Sequence, residues 1–230
     1  MNLKDYYLSL NKIGRKFFNV QKKKLLKIAL ILSFITIFYN LGEGGISIFF
    51  GLKDGTLTLL GFGIDSFVEV LSGLGIFHMI LRMKNSPINS RDEFERFALK
   101  ITGISFYILS VGLVIGAVIN IVQNVKPETA VPGIVVSAIS IISMKLLMTY
   151  KLDVGRKLNS DAIIADANCT RTCLNLSMIL LIASLLYLFF KIGYIDILGS
   201  MGIAYYSIKE GKESFEKSKS NNLECSCDSD

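Results

Sequence analysis

Asp65-Ser66-Phe67-Val68-Glu69 and Cys169-Thr170-Arg171-Thr172-Cys173 each lie inside a long apolar stretch. Each sets two side chains able to bind a metal four residues apart. On a helix that spacing puts both on one face, one turn and ~6 Å of axial rise apart. Ionisable groups are costly in lipid, and those within a span face protein or water. Two such pairs on separate helices point to a protein-lined cation site within a membrane.

The surrounding composition agrees. The 230 residues are 51% hydrophobic and 19% charged, with a mean hydropathy of +0.50. Soluble domains carry about 25% charged residues, and here the charges cluster between apolar runs. The expected fold class is all-α: a polytopic membrane protein with one six-helix bundle and no second domain. The net charge of +6 does not indicate a nucleic-acid partner, because no soluble basic domain with interleaved aromatics exists to grip phosphates. Lys22-Lys23-Lys24 and Lys27 stand just before the first apolar run, where positive charge fixes orientation. The first 26 residues are too polar, and too far from a cleavage-like site, to be a signal peptide. A disulfide framework is not expected, since cysteines at i and i+4 on a helix sit at the far edge of disulfide reach with diverging Cβ vectors.

Six spans fit the apolar runs: residues 27–50, 56–81, 97–123, 132–150, 161–190 and 193–208. Asn40, Glu43 and the Gly44-Gly45 pair interrupt the first, which predicts a broken helix near Gly44 whose later part faces protein or water. Residues 151–160 read as a polar link. Span six is short of the ~20 residues a crossing needs. The division expected is a cytoplasmic segment 1–26, a transmembrane domain 27–208 and a cytoplasmic tail 209–230, mobile or only locally helical. Lysine and arginine concentrate in residues 1–27, 82–100, 151–157 and 209–219, whereas the opposite side has Lys53, Lys126 and Lys191. That bias puts both termini in the cytoplasm of a multi-pass cell-membrane protein.

Asp65 and Glu69 are the ionisable members of one face of span two. Cys169 and Cys173 share a stripe of span five with Asp166. Two carboxylates and two thiolates make four ligands, the number tetrahedral zinc prefers. Thiolates favour zinc or cadmium, while carboxylates also accept manganese or ferrous iron. Cysteine also packs well in apolar cores, so the thiol pair alone decides little; two stacked carboxylates at mid-span weigh more. Asn40, Glu43 and Asp166 are candidates for the pathway or for supporting the ligands. His78, near the end of span two, reads as an interfacial side chain, and Arg171 lies on another face from the cysteines, where it wants an acidic partner. Cys225 and Cys227, among tail acids, are weak candidates for a soft metal.

These residues carry a resemblance. The stretch from Gly55 to Glu69 resembles the second transmembrane helix of the cation diffusion facilitators, the cation efflux family, with Asp65 and Glu69 at the places of its metal-binding pair. The stretch from Ser160 to Cys173 resembles the family's fifth helix, with Cys169 and Cys173 where His and Asp are usual. The likeness covers most of residues 27–208. It implies a secondary active transporter rather than an enzyme, exporting a divalent cation, usually Zn²⁺, by proton antiport as a homodimer, with no permanent cofactor. Two departures stand out. The thiol pair alters the usual selectivity, and the usual cytoplasmic ferredoxin-like domain does not follow span six, so the chain reads as a short form. The alternatives are a membrane metal-binding or sensor protein without turnover, and a membrane enzyme with a Cys or Asp nucleophile. The enzyme reading lacks a base, since the single histidine, His78, lies outside both motifs.

Overall fold

The computed structural model describes residues 3–85 and 93–220; Cys225 and Cys227 lie outside them. Among the described residues there are six helices: α1 (Leu3–Lys53), α2 (Leu57–Asn85), α3 (Glu93–Gln123), α4 (Val131–Leu158), α5 (Asp161–Phe190) and α6 (Gly193–Lys219). The chain is an all-α, multi-pass membrane bundle. Among the described residues, five segments are long and apolar enough to cross a bilayer: Gln21–Lys53, Leu57–Met83, Glu93–Gln123, Val131–Leu158 and Asp166–Phe190. Helix α6 has 27 residues, ~40 Å at 1.5 Å per residue, but its second half is rich in Lys and Glu.

Three elements differ from the sequence expectation. Helix α1 is unbroken through Gly44-Gly45, because both glycines remain helical and Gly44 is used for contact. Helix α4 continues to Leu158, so the polar link shrinks to a turn at Asn159-Ser160. Asn159 there takes a left-handed conformation (φ 49°) and its N–H caps the helix at Arg156 O and Gly155 O. Helix α6 runs on through Lys219, where a tail mobile or only locally helical was expected from residue 209.

The bundle is polar inside and apolar outside. Phe38, Phe49, Ile108, Ile142 and Phe189 are exposed, whereas Ser47, Ser137, Ser140, Ser177, Ser200 and Ser207 are fully buried. Lipid tails offer no hydrophobic drive for helix association, so close packing of small residues takes its place. On α4 the buried face is Gly133, Ser137, Ser140, Met144, Leu147, Lys151 and Val154, alternating steps of three and four as a packed stripe requires.

Helices pair as α1 with α2, α3 with α6 and α4 with α5, and α2 also touches α3, α5 and α6. The α1–α2 approach is backbone-close. A Cβ on Gly63 would lie 2.8 Å from the Ile48 nitrogen, and one on Gly44 would lie 3.0 Å from the Gly63 oxygen. Gly103 and Gly211 do the same for α3 and α6, each placing its virtual Cβ within 3.2 Å of the other's carbonyl oxygen.

Both ends are tied. Asp196 of α6 caps α2 from outside: the Leu57 N–H donates to Oδ2 at 2.8 Å and the Thr58 N–H to Oδ1 at 3.1 Å. Two otherwise orphaned donors are satisfied, by an anion where the helix dipole favours one. At the other end Arg96 Nη1 donates to Ser218 O at 3.0 Å, closing the last turn of α6, and Arg82 pairs with buried Glu95 at 2.6 Å. The two carboxylates of α2 are thereby held between α1, α3, α5 and α6.

Candidate metal centre

Asp65 is fully buried, and neither of its carboxyl oxygens has a hydrogen-bond partner. One turn on, Glu69 is half-buried and reaches a cavity of about 50 Å³. The Asn40 Nδ2 of α1 donates to Glu69 Oε2 at 2.9 Å. Asn40 itself is 1% exposed and its Oδ1 is unpartnered. Glu43, a turn further along α1, accepts from Tyr39 OH at 3.0 Å and Ser66 Oγ at 3.4 Å. Cys173 is buried against Met144 and Leu147 of α4, with Tyr39 beside it. Asp65, Glu69, Glu43 and Cys173 stand close enough to act on one another's charge.

The thiol pair divides. Cys173 belongs to this deep group, while Cys169 is only partly buried, lines the cavity and accepts from Lys217 Nζ of α6 at 3.9 Å. Asp166 is taken up elsewhere: its Oδ1 pairs with Lys151 Nζ at 2.9 Å, and Lys151 also donates to Thr170 Oγ1 at 3.0 Å. Lys151 is 2% exposed, within α4 rather than in a loop as its charge alone suggested. Arg171 is exposed. His78 lies 4.7 Å, centroid to centroid, from Phe94 and 3.6 Å from Glu95, away from both motifs. Among the described residues, no three His, Cys, Asp or Glu side chains converge in a metal-holding group as they stand.

Three contributors escaped the sequence reading. Tyr39 and Glu210 carry no motif; Glu210 lines the cavity from α6 and accepts from Thr172 Oγ1 at 3.0 Å. Lys151 had a signal, since it falls on the three-four stripe of α4.

The cavity runs from Glu69 to Lys217, at the end of the bundle where α3 starts and α6 finishes. Toward the other end the interior is sealed by Leu59, Phe62, Leu113, Leu176, Leu180 and Ile203. A helical membrane bundle with an acidic and thiol centre at mid-depth, approached from one end and plugged at the other, has the architecture of a small-ion carrier.

Comparison with known proteins agrees with that class. Residues 33–221 match the family described as the cation efflux transmembrane domain, and the chain belongs to this family. It is 27% identical over 147 residues to the manganese efflux system protein MneP of Bacillus subtilis (strain 168), covering 61% of this chain and 47% of that protein. It is 25% identical over 122 residues to the magnetosome protein MamB of Paramagnetospirillum magneticum (strain AMB-1), covering 51% of this chain and 41% of the relative. MamB of Magnetospirillum gryphiswaldense is matched at the same identity and coverage. The matched regions span less than half the length of these curated relatives.

Proposed function

We propose that this chain exports a divalent metal cation in exchange for protons, using Asp65, Glu69, Cys169 and Cys173 as successive or joint ligands. The observation that carries the reading is the Asp65 carboxyl, buried with both oxygens unpartnered. Buried polar groups are hydrogen-bonded as a rule, and a bare buried carboxylate is far too costly to persist. Such a group holds a proton or a cation, and exchanging one for the other is the elementary act of antiport. Glu69, bound to Asn40, presents the second carboxylate to the cavity. Asp166 supports the site by neutralising Lys151, and Glu43 by tying Ser66 of α2 to Tyr39 of α1 through the bonds it accepts.

The cargo is Zn²⁺ or a neighbouring ion such as Cd²⁺, Fe²⁺ or Mn²⁺. The thiols favour the softer ions, and the likeness to a manganese efflux protein supports Mn²⁺ among them. Metal loading requires deprotonated ligands, so protons arriving from the far side release the ion there. The Lys and Arg bias supports a cell-membrane protein with both termini cytoplasmic and the cavity open to the cytoplasm. Family resemblance supports a homodimer. The chain then divides into a cytoplasmic segment 1–26, a transmembrane domain 27–208 and a cytoplasmic tail 209–230, whose first turns continue α6.

Metal flux into proteoliposomes tests this. Wild-type protein should carry Zn²⁺ or Mn²⁺ driven by protons moving the opposite way down their gradient, and Asp65→Asn should abolish the flux with the protein still inserted. Tight metal binding without flux would overturn transport in favour of a metal-binding or sensor protein.

A further inference from the structure

Helix α6 has no part in the ligand set above, yet it brings a carboxylate into the same cavity. Glu210 lines that cavity together with Cys169, Glu69 and Asn40. Its position is fixed: Thr172 Oγ1, on the cavity side of α5, donates to Oε1 at 3.0 Å. Gly211, next in sequence, allows α6 to lie against the α3 backbone at Gly103, so the helix carrying Glu210 cannot withdraw without breaking that contact. Asn40 supplies an independent sign that the cavity receives a ligand: the residue is part of the same lining, and its Oδ1 is buried and unpartnered. At the outer rim stands Lys217, 3.9 Å from the Cys169 sulfur and 2.5 Å from Glu213 Oε1. It is a tethered positive charge that lies against the thiol and has a second acid one turn away.

We propose that Glu210 is a loading ligand: with Cys169 it binds a divalent cation in the cavity before the ion reaches Glu69. A carboxylate and a thiol from facing helices suit a borderline or soft divalent ion. Lys217 keeps this position weak. Its ammonium lies where the ion must approach the sulfur, and the ion's arrival displaces it from the thiol while its ion pair with Glu213 remains. A loading position must bind loosely enough to pass the ion on, and a competing tethered cation provides that. Cys169 thus acts one step earlier than Cys173. The ligand class follows from the proposed function, but the position can be tested without transport.

The test is a Cd²⁺ titration of the purified full-length chain, read by cadmium–thiolate ultraviolet absorption. In a background with Cys173, Cys225 and Cys227 all replaced by Ser, Cys169 is the remaining thiol and the band reports it. Glu210→Gln, which can still accept from Thr172, should raise the Kd of that band by about tenfold, the lower range for loss of a partner in a metal site. Glu210→Asp should stay within about threefold of the parent. Lys217→Met should tighten binding. Asp65→Asn, which removes the deep carboxylate, should leave the Cys169 band in place, so that failure of the deep site and of the loading position are told apart. A Kd unchanged by Glu210→Gln, or no cadmium band from Cys169 at all, would overturn the proposal.

Discussion

Asn40 of α1 donates from Nδ2 to Glu69 Oε2 of α2 at 2.9 Å, across 29 residues of sequence. The bond joins two helices that pack backbone-close at Gly44 and Gly63, at the level where the cavity ends and the buried Asp65 begins. It satisfies one oxygen of Glu69 and leaves the Asn40 carbonyl oxygen turned loose in the interior. An amide so placed orients a carboxylate without neutralising it. Its own oxygen is a further donor for a hard or borderline cation.

Asn40→Ala should therefore weaken metal binding by about 10–100-fold, the usual range for losing a group that orients a metal ligand. Asn40→Asp should instead keep an oxygen there and raise the demand for positive charge. Equilibrium titration of the purified variants with Mn²⁺ and Zn²⁺ measures both. An Asn40→Ala protein that binds like wild type would remove Asn40 from the site.

The proposed proton coupling predicts competition between metal and proton for the same atoms. The ligands bind metal only when deprotonated, so metal affinity should fall as the pH is lowered. In proteoliposomes with a trapped pH dye, metal added on the cavity side should drive protons the other way. Glu69→Gln removes one exchangeable proton and should reduce the protons moved per ion. Metal flux unaccompanied by proton movement, at matched membrane potential, would leave a uniporter.

Selectivity should depend on the thiols. Replacing Cys169 with His and Cys173 with Asp trades soft ligands for harder ones, so the preference for Cd²⁺ over Mn²⁺ should shrink. Competition binding gives the ratio before and after. A ratio that does not move would make the cysteines packing residues.

The Lys151–Asp166 pair gives a stability prediction. Lys151→Met leaves Asp166 buried without its partner, a loss of about 3–5 kcal/mol. Adding Asp166→Asn removes the orphaned charge and should recover most of it, because a buried pair is often dispensable when both members go. Thermal unfolding in detergent compares the single and double variants. A double variant as unstable as the single would mean the packing around Lys151, not the charge, carries the effect.

Close approach of α1 and α2 can be probed at two glycines. Gly63→Val drives a side chain into the Ile48 backbone and should cost roughly 1–3 kcal/mol or more as overpacking. A Cβ on Gly45 meets nothing within 4 Å, so Gly45→Ala should be neutral or slightly stabilising as a better helix former. Equal losses at both positions would contradict the crossing described here.

Much of this protein follows from local rules that the sequence states alone. Apolar runs longer than a bilayer requires fix the helices and the membrane. Residues four apart on one helix share a face, which places Asp65 with Glu69 and Cys169 with Cys173 before any fold is known. The seven-residue stripe of α4 would even have turned Lys151 inward, had its charge not argued for a loop. Partnerships between helices are another matter, because periodicity says which face is inward and not what it meets there. Tertiary packing alone gives Asp166 to Lys151 rather than to a metal, and Glu69 to Asn40. It separates the two cysteines, Cys173 in the interior and Cys169 against Lys217. It also brings Glu210 of α6, a residue with no motif, into the cavity that leads to Glu69. Each of these pairings satisfies a charge or polar group that cannot stay bare away from water, and that requirement is settled only when every neighbour is in place.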